Sequence, residues 1–395
     1  MKRRDFLKWV TAVVASRRLV LGRAKATNAL YFIIPPTTLH VGETTAMIGY
    51  WLSQTTDSGA LHLFKDGQPV QIIPLPTDRA VVTLENLEPA TTYTYRIEVG
   101  GEIPAYLDFA EAWGPLSFRT QPFEWPIRLA AIGDSGFGDS VTLQLAEHIA
   151  AHDIHAFLHL GDVAYNCYEH DNNLPLNWAL KYYRPYQAIL QRVPHYAVFG
   201  NHDRQSDTFW LDQPFYFWAF PSLNQGEAWH DQRRWYAVTL NDVRLVGLDT
   251  QCYYTDRCLG DQNNWLDQQL ADTTPYRTNL VLFHIPFWTS GTVHAEDGLV
   301  IAQTWEQRLR DHADQIGVVL NGHSHLYERL YRGGVHYITS GGGGASIYGN
   351  STPVAGSQVV RSLANYVIVE VYPDQIQVTA YDIDNTVIDQ SSWAI

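Results

Sequence analysis

Five predicted buried strands each run directly into a residue that can bind a metal ion, and this order constrains the fold most. The strands are the apolar segments IRLAAI, AFLHL, HYAVF, LVLFHI and GVVLNG. The metal-binding residues that end or follow them are, in chain order, Asp134, Asp162, Asn201, His284, His323 and His325. Helical segments separate most of these strands, which predicts βαβ units and a parallel sheet. Parallel strands direct their carboxyl ends to one edge, so we expect these residues to converge on one site.

The donor types in this set suit two divalent or trivalent metal ions. Two ions roughly 3.5–4 Å apart can hold a phosphate ester, lower the pKa of a bound water and stabilise both reacting oxygens. One carboxylate must bridge the ions, and Asp162 is the predicted bridge because it is central in order and follows Gly161 in a tight turn. Each motif alone also fits a turn, a helix cap or a hydrogen-bonded core histidine. Only the ordered set favours a metal centre.

The segment before these strands has a different pattern. Residues 28–121 alternate short apolar runs with turns such as Asp66-Gly67, which predicts an antiparallel β-sandwich. The pattern changes at Phe123 to Pro126, where a continuous apolar strand begins, so a second domain is predicted over 126–395. The segment LENLEPATTYTYRIEV resembles the tyrosine-bearing strand region of fibronectin type III domains.

The series GDSG, GDVAY, GNHD, FHIP and GHSHLYER resembles the calcineurin-like binuclear metallophosphoesterases and, within them, the purple acid phosphatases. The sandwich resembles the N-terminal domain of the larger purple acid phosphatases. The resemblance implies a fibronectin III-like all-β sandwich, followed by a four-layer α/β/β/α metallophosphoesterase domain with mixed central sheets.

The resemblance also implies a ligand set. One ion would be held by Asp134, Tyr165, His325 and the bridge Asp162, and the other by Asp162, Asn201, His284 and His323. Tyr165 would be a phenolate on Fe(III), and the second ion would be Fe(II), Zn(II) or Mn(II).

Two further histidines are implied to handle substrate. His202 follows a ligand directly, so it is expected to bind the phosphate and protonate the leaving alkoxide. His294, in SGTVHAEDG, lies where the family places another substrate histidine, although an exposed loop histidine is an equal alternative. Asp203 stands where the family commonly has a glutamate, which leaves the contacts of that carboxylate open.

The implied function is acid phosphatase activity, the hydrolysis of phosphate monoesters by a metal-bound hydroxide. One alternative is an exported phosphodiesterase or nucleotide phosphohydrolase on the same fold. Another is a binding or adhesion protein whose phosphoesterase domain is inactive. The complete set of seven predicted metal ligands argues against an inactive domain, because such a domain would not need them.

The first 26 residues are predicted to be an export signal. Arg3 and Arg4, followed by Phe6, Leu7 and Lys8, match the twin-arginine pattern, and the expected location is periplasmic or extracellular. A basic cytoplasmic N-terminus or a short anchor is the alternative. No later stretch reaches the ~20 apolar residues of a membrane span.

The net charge limits the classes of binding partner, and the cysteine positions raise the question of a disulfide. The net charge of −14 opposes binding to nucleic acid or anionic membranes, so small phosphorylated substrates are the predicted partners. The sequence leaves the oligomeric state open. Cys252 and Cys258 are close enough for a bridged loop, with Cys167 left over, but three unpaired thiols fit equally well.

Overall fold

The computed structural model describes residues 30–75, 78–106, 113–165, 174–203, 214–220, 235–254 and 258–395. The N-terminal part holds two four-stranded sheets, ordered β5-β2-β1-β7 and β4-β3-β6-β8. Their strands are β1 (Tyr31–Val41), β2 (Ala46–Leu52), β3 (Gly59–Lys65), β4 (Gln68–Pro74), β5 (Arg79–Leu84), β6 (Thr92–Val99), β7 (Ala105–Tyr106) and β8 (Leu116–Arg119). The predicted all-β sandwich is confirmed.

The alternation of apolar residues explains how these sheets form a core. In β6, Tyr93, Tyr95 and Ile97 are buried while the residues between them are more exposed, because successive side chains point to opposite faces. The Tyr93 hydroxyl accepts a hydrogen bond from the Glu88 N–H at 2.9 Å. This is the tyrosine corner of immunoglobulin-like sandwiches. The finer fibronectin III assignment stays a prediction.

The second part contains two larger mixed sheets. One has the order β11-β10-β9-β19-β20-β21 and the other β12-β13-β14-β15-β17-β16-β18. Their strands are β9 (Ile127–Ile132), β10 (Ala156–His159), β11 (His195–Ala197), β12 (Tyr236–Leu240), β13 (Val243–Gly247), β14 (Thr278–Leu282), β15 (Ile316–Asn321), β16 (Tyr327–Arg332), β17 (Val335–Ser340), β18 (Ser357–Arg361), β19 (Asn365–Val371), β20 (Gln375–Asp382) and β21 (Val387–Ala394).

Helices cover the outer faces of both sheets. The α-helices are α1 (Ser140–Ala150), α2 (Leu174–Trp178), α3 (Gln187–Leu190), α4 (Pro214–Ala219), α5 (Leu259–Leu270) and α6 (Leu299–Asp311). A π-helical turn spans Ala179–Tyr183, and 3₁₀ turns span Thr250–Tyr254 and Ala313–Gln315.

Burial along β14 shows the layering. Leu280 and Leu282 belong to the core shared with the six-stranded sheet, whereas Val281 packs in a second core with Leu266 of α5 and Trp305 of α6. Both faces of the sheet are therefore covered, which fits its continuous apolar sequence. The predicted α/β/β/α architecture is confirmed.

The sandwich is joined to the second part through Gln121. Its amide nitrogen donates to the carbonyl oxygens of Val41 and Thr239 at 2.6 and 2.9 Å, and its amide oxygen accepts from the Asn241 N–H at 2.6 Å. One buried side chain thus connects both parts, close to the predicted change of pattern. The limits 28–121 and 126–395 stay predictions.

Three other sequence expectations bear on the fold. Cys252 and Cys258 form a disulfide. Cys167 and the predicted export signal at 1–26 lie outside the described residues. Among the described helices, none has the length and apolarity needed to cross a bilayer.

Candidate metal centre

The carboxyl ends of the two large sheets meet at one place, and the predicted ligands lie there. In the first sheet β9, β10 and β11 are parallel neighbours, and in the second β14 and β15 are parallel. The loops after these strands bring six of the ligands together, and Tyr165 joins them from the loop after β10. The convergence expected from strand direction is therefore present in the structure.

One group of donor atoms comes from three different loops. The Tyr165 hydroxyl lies 3.2 Å from Oδ1 of Asp134 and 3.2 Å from Nε2 of His325. Nε2 of His325 is in turn 3.4 Å from Oδ1 of Asp134. These three polar atoms surround one small volume, as ligands of a single ion would.

A second group lies around Asn201. Its amide oxygen is 3.0 Å from Nε2 of His284 and 3.0 Å from Nδ1 of His323. Oδ1 of Asp162 is 3.4 Å from Nε2 of His284. Asp134, Asp162 and His284 also offer ligand atoms that all lie within 4.8 Å of one another, so the two groups are contiguous through these buried residues.

Hydrogen bonds on the far side of each imidazole fix its tautomer. Nδ1 of His284 lies 2.8 Å from the Leu160 carbonyl oxygen, and Nδ1 of His325 lies 2.8 Å from that of Ser346. Nε2 of His323 lies 3.1 Å from a carboxylate oxygen of Asp297. Because these oxygens only accept, the neutral ring carries its proton there and turns the lone pair of its other nitrogen to the site.

The donor set fits metal ions for this reason. With these tautomers, ring lone pairs of His284 and His323 face the amide oxygen of Asn201, so three acceptors meet without a proton between them. A cation placed among them removes the repulsion. The mixture of carboxylate, phenol, amide and imidazole suits hard and borderline ions such as iron, zinc and manganese.

The electrostatics of the site also call for positive charge. Burial strongly raises the pKa of the Tyr165 phenol, and the nearby Asp162 and Asp134 carboxylates raise it further. Burial lowers the pKa of His284, but the same two carboxylates, the hydrogen bond to the Leu160 carbonyl and the Asp203 charge together raise it, and the net shift is upward. The phenol therefore needs a strongly charged ion to ionise, and the buried negative charge of the two carboxylates favours a cation at the site.

The backbone approaches the site closely. Asp134, Asp162 and His323 have φ values of 60°, 54° and 65°, a left-handed conformation that non-glycine residues adopt rarely. At Gly200, a Cβ atom would lie 2.1 Å from the Asp162 nitrogen, so only glycine fits. Glycine at this position therefore lets the loop after β11 lie against the loop that carries Asp162.

Asp203 connects the loop that carries Asp162, the predicted bridge, to the loop that carries Asn201. Its carboxylate accepts from the N–H groups of Gly200, Asp162, Val163 and Ala164 at 2.9, 3.0, 2.7 and 3.3 Å. Burial and the Asp162 charge raise its pKa to about 7, while these hydrogen bonds and the charge of His284 oppose the rise. The shorter side chain thus holds both loops, which the sequence left open.

The two predicted substrate histidines lie beside the centre. His202 is half-buried, its ring centroid is 4.4 Å from that of Tyr165, and its N–H donates to Oδ1 of Asp162 at 2.8 Å. His294 has a side chain 38% exposed, and its ring centroid is 4.6 Å from that of His323. Both are therefore at the solvent side of the site.

Asp297 is a site residue that the sequence did not reveal. One of its carboxylate oxygens lies 3.1 Å from Nε2 of His323 and 2.8 Å from Nδ1 of His294. It joins a predicted ligand to a predicted substrate residue. Its spacing of three residues after His294 in a turn was the only local signal.

The comparisons with known proteins agree with this geometry. Residues 127–327 match the family model described as calcineurin-like phosphoesterase, and the chain belongs to that family. Its curated relatives are purple acid phosphatases, as the sequence resemblance predicted. Purple acid phosphatase 22 of Arabidopsis thaliana is 29% identical over 281 residues, covering 67% of this chain and 58% of the relative. Purple acid phosphatase 18 of the same plant is 29% identical over 272 residues, covering 65% and 56%.

Solved structures show the same fold. The purple acid phosphatase PPD1 from yellow lupin seeds superposes with a TM-score of 0.71 at 15% identity, covering 93% of this chain and 74% of that one. A structure of PhoD gives 0.70 at 13% identity, covering 92% and 93%. The chain spans less than three-fifths of the length of the two curated relatives above.

Proposed function

We propose that this protein is a binuclear metal-dependent hydrolase of phosphate monoesters, with acid phosphatase activity. The carrying observation is that donors from seven separated residues converge with their imidazole lone pairs turned inward. The proposed ligands are Asp134, Asp162, Tyr165, Asn201, His284, His323 and His325, with Asp162 as the bridge. The proposed ions are Fe(III) with Fe(II), Zn(II) or Mn(II).

The bound ions would supply Lewis acidity, activating water and neutralising phosphate charge. The residues of the chain perform the remaining tasks. In this proposal His202, whose N–H donates to Asp162, binds a phosphate oxygen and donates a proton to the leaving oxygen. His294, tied to Asp297, is placed to hold the phosphate from the other side of the site. Asp297 and Asp203 keep these groups in position.

The visible absorption spectrum and the metal content of the purified protein test the proposed metal centre. The purified, metal-loaded protein is expected to contain iron and a second metal, with a visible band from charge transfer between phenolate and Fe(III). Changing Tyr165 to Phe removes the phenolate and should abolish the band, whereas Tyr348→Phe is the matched control. The Tyr348 ring stacks on His325 at 4.1 Å, so it probes the surroundings without being a proposed ligand. A band that survives in Tyr165→Phe rules out this ligand.

Substrate preference separates the monoesterase from the diesterase alternative. We expect kcat/KM for a phosphate monoester to exceed that for the matching diester, with activity highest below neutral pH. His202→Ala should lower kcat by roughly 100-fold or more, because a general acid contributes 10²–10⁴. Faster turnover of the diester would favour the phosphodiesterase, and a metal-free, inactive protein would favour the binding protein.

The proposed domain limits are 28–121 for the sandwich and 126–395 for the catalytic part, and the proposed location follows from the N-terminal sequence. We propose export through the twin-arginine route, with residues 1–26 as the signal. Fractionation of cells carrying the native chain and an Arg3→Lys, Arg4→Lys variant tests it. Retention of the variant in the cytoplasm is the expected result.

A further inference from the structure

A cleft of about 350 Å³ lies where the sandwich meets the six-stranded sheet. Its lining includes Arg128 near the start of β9, His155 directly before β10 and Pro194 directly before β11. The opposite ends of these same strands lead to the metal centre. At ~3.3 Å per residue, the six residues from Arg128 to Asp134 separate the two places by about 20 Å. The cleft is therefore distinct from the candidate metal centre.

Three guanidinium groups from different parts of the chain line this cleft: Arg119, Arg128 and Arg192. Arg128 is compensated, since it lies 3.3 Å from Glu370 and 3.7 Å from Asp153. Arg192 donates to the carbonyl oxygens of Ala188 and Ala150, both at 2.8 Å, and these carry no net charge. Its positive charge is thus left without a counterion among the described residues.

Arg119 is the most informative of the three. It is half-buried on β8, and its side chain makes no hydrogen bond or ion pair with any residue that the structure describes. Its cross-strand partner is Thr92, and Ser117 lies on the same face two residues earlier. Both hydroxyl residues line the cleft, and neither hydroxyl has a hydrogen bond within the described part of the chain. The Arg119 guanidinium and two hydroxyl groups that can donate hydrogen bonds therefore line the same wall of the cleft.

The opposite wall adds a neutral donor. Nδ1 of His155 accepts from the Arg128 N–H at 3.1 Å, so the ring proton is on Nε2. Burial lowers the pKa of His155 to about 4; the charge of Asp153 opposes this, and those of Arg128 and Arg119 add to it. Two acidic residues, Glu124 and Asp153, also line the cleft, but both are exposed, and the Asp153 side chain is 93% exposed. The inner surface is thus dominated by donors.

We propose that this cleft binds a small anion bearing a phosphate or carboxylate group, with Arg119 as its principal ligand. The planar guanidinium matches the paired oxygens of either group. Ser117, Thr92 and His155 would donate to its remaining oxygens, and Arg192 would supply further positive charge. In a chain of net charge −14, such a concentration of unpaired donors is a local exception. This site is independent of the proposed hydrolytic function.

Titration calorimetry with inorganic phosphate on the full, metal-loaded chain tests the proposal. The native protein should show two classes of phosphate site. Arg119→Ala should weaken one class at least tenfold while leaving turnover of the monoester unchanged. Arg96→Ala is the matched control, because this guanidinium lies on the same sheet but is paired with Glu98. His202→Ala should weaken only the other class, so failure at the cleft and failure at the metal centre are distinguishable.

A second titration with succinate identifies the anion. If the native protein binds succinate and both Arg119→Ala and Arg192→Ala lose that binding, the cleft is assigned to carboxylates. If the native protein binds phosphate but not succinate, and both variants lose the phosphate binding, the cleft is assigned to phosphate. The two variants are folded if their thermal transitions match the native one. A single class of phosphate site together with no succinate binding overturns the proposal. So does an isotherm that neither substitution changes.

Discussion

At the scale of single residues, the centre depends on backbone conformations that side chains hold in place. Asp134 and His323, both with positive φ, are linked because the His323 N–H donates to Oδ2 of Asp134 at 2.7 Å. Asp162, which also has a positive φ, accepts from the His202 N–H at 2.8 Å. A left-handed non-glycine residue costs about 1–3 kcal/mol, so the surrounding structure must stabilise all three. Each of these two carboxylates thus holds a neighbouring loop of the site in place: Asp134 the loop after β15, and Asp162 the loop after β11.

Gly200 is the residue at which this closeness is easiest to test. In Gly200→Ala the new Cβ would overlap the Asp162 backbone, which cannot move without displacing the proposed bridge. We expect a loss of about 3 kcal/mol or more in the free energy of unfolding and a loss of bound metal. Urea unfolding and metal analysis measure the two effects.

Gly260 provides the matched control, since a Cβ built there has no atom within 4 Å among the described residues outside its chain neighbours and the nearby backbone of its own helix. It lies within α5, where alanine is favoured over glycine by up to ~1 kcal/mol. Gly260→Ala should therefore be neutral or slightly stabilising. Equal stability and metal content in Gly200→Ala and the native protein would contradict the close approach.

At the scale of elements, Glu328 on β16 anchors the segment that carries His294. The carboxylate is 1% exposed and accepts from the N–H and hydroxyl of Ser290 at 2.8 and 2.6 Å. It also accepts from the hydroxyl of Ser357 on β18 at 2.6 Å. One buried carboxylate thus connects the loop after β14 to two strands of the seven-stranded sheet.

Glu328→Gln is expected to loosen this loop without changing a proposed ligand. An amide NH₂ would replace one acceptor oxygen, leaving a buried donor unpaired at a cost of about 1–3 kcal/mol. Misplacing His294 should lower kcat by roughly 10- to 100-fold. Thermal unfolding and steady-state kinetics are the measurements. Glu306→Gln, a partly buried change on α6, is the control and should leave kcat unchanged.

At the scale of the whole molecule, two histidines lie where the sandwich meets the second part, His195 buried and His40 half-buried. Nε2 of His195 lies 3.2 Å from the Thr37 hydroxyl, and Nδ1 of His40 lies 2.9 Å from the Tyr196 hydroxyl. Burial lowers the pKa of His195 to about 3 and that of His40 to about 4. Burial at this junction therefore favours the uncharged form of both rings.

This arrangement predicts acid instability. Above the unfolded pKa of about 6.5 neither state binds the proton, and below it the unfolded state binds protons that the folded state does not. Each such histidine should thus cost about 1.4 kcal/mol per pH unit from about pH 6.5 down to its folded pKa.

Urea unfolding of the native protein and of His195→Gln between pH 7 and pH 4.5 measures the effect. The His195→Gln substitution should reduce the slope of the unfolding free energy against pH by about 1.4 kcal/mol per pH unit, which corresponds to one proton fewer taken up on unfolding. Identical slopes in the two proteins would exclude His195 as a source.

Much of the site was accessible from the sequence because its signals are local. A buried strand that runs into an Asp, Asn or His places a donor at a sheet edge, and five such strand ends in order identified Asp134, Asp162, Asn201, His284, His323 and His325. The sandwich was equally accessible, since alternation in β6 is a property of neighbouring residues. Family membership followed from the same motifs. The export signal and the ligand roles stay predictions.

Other features were decided only by tertiary structure, since each depends on atoms distant in the chain. The tautomer of His325 is fixed by the carbonyl of Ser346, and that of His284 by Leu160, 124 positions away. Asp297 belongs to the site because the loop after β14 brings its carboxylate next to His323, which follows a different strand. Arg119 likewise faces a cleft because strands of two separate sheets meet there. The sequence by itself determined which chemical groups stand at the strand ends; strand order and register decided which of them touch, because hydrogen bonding acts only over a few ångströms.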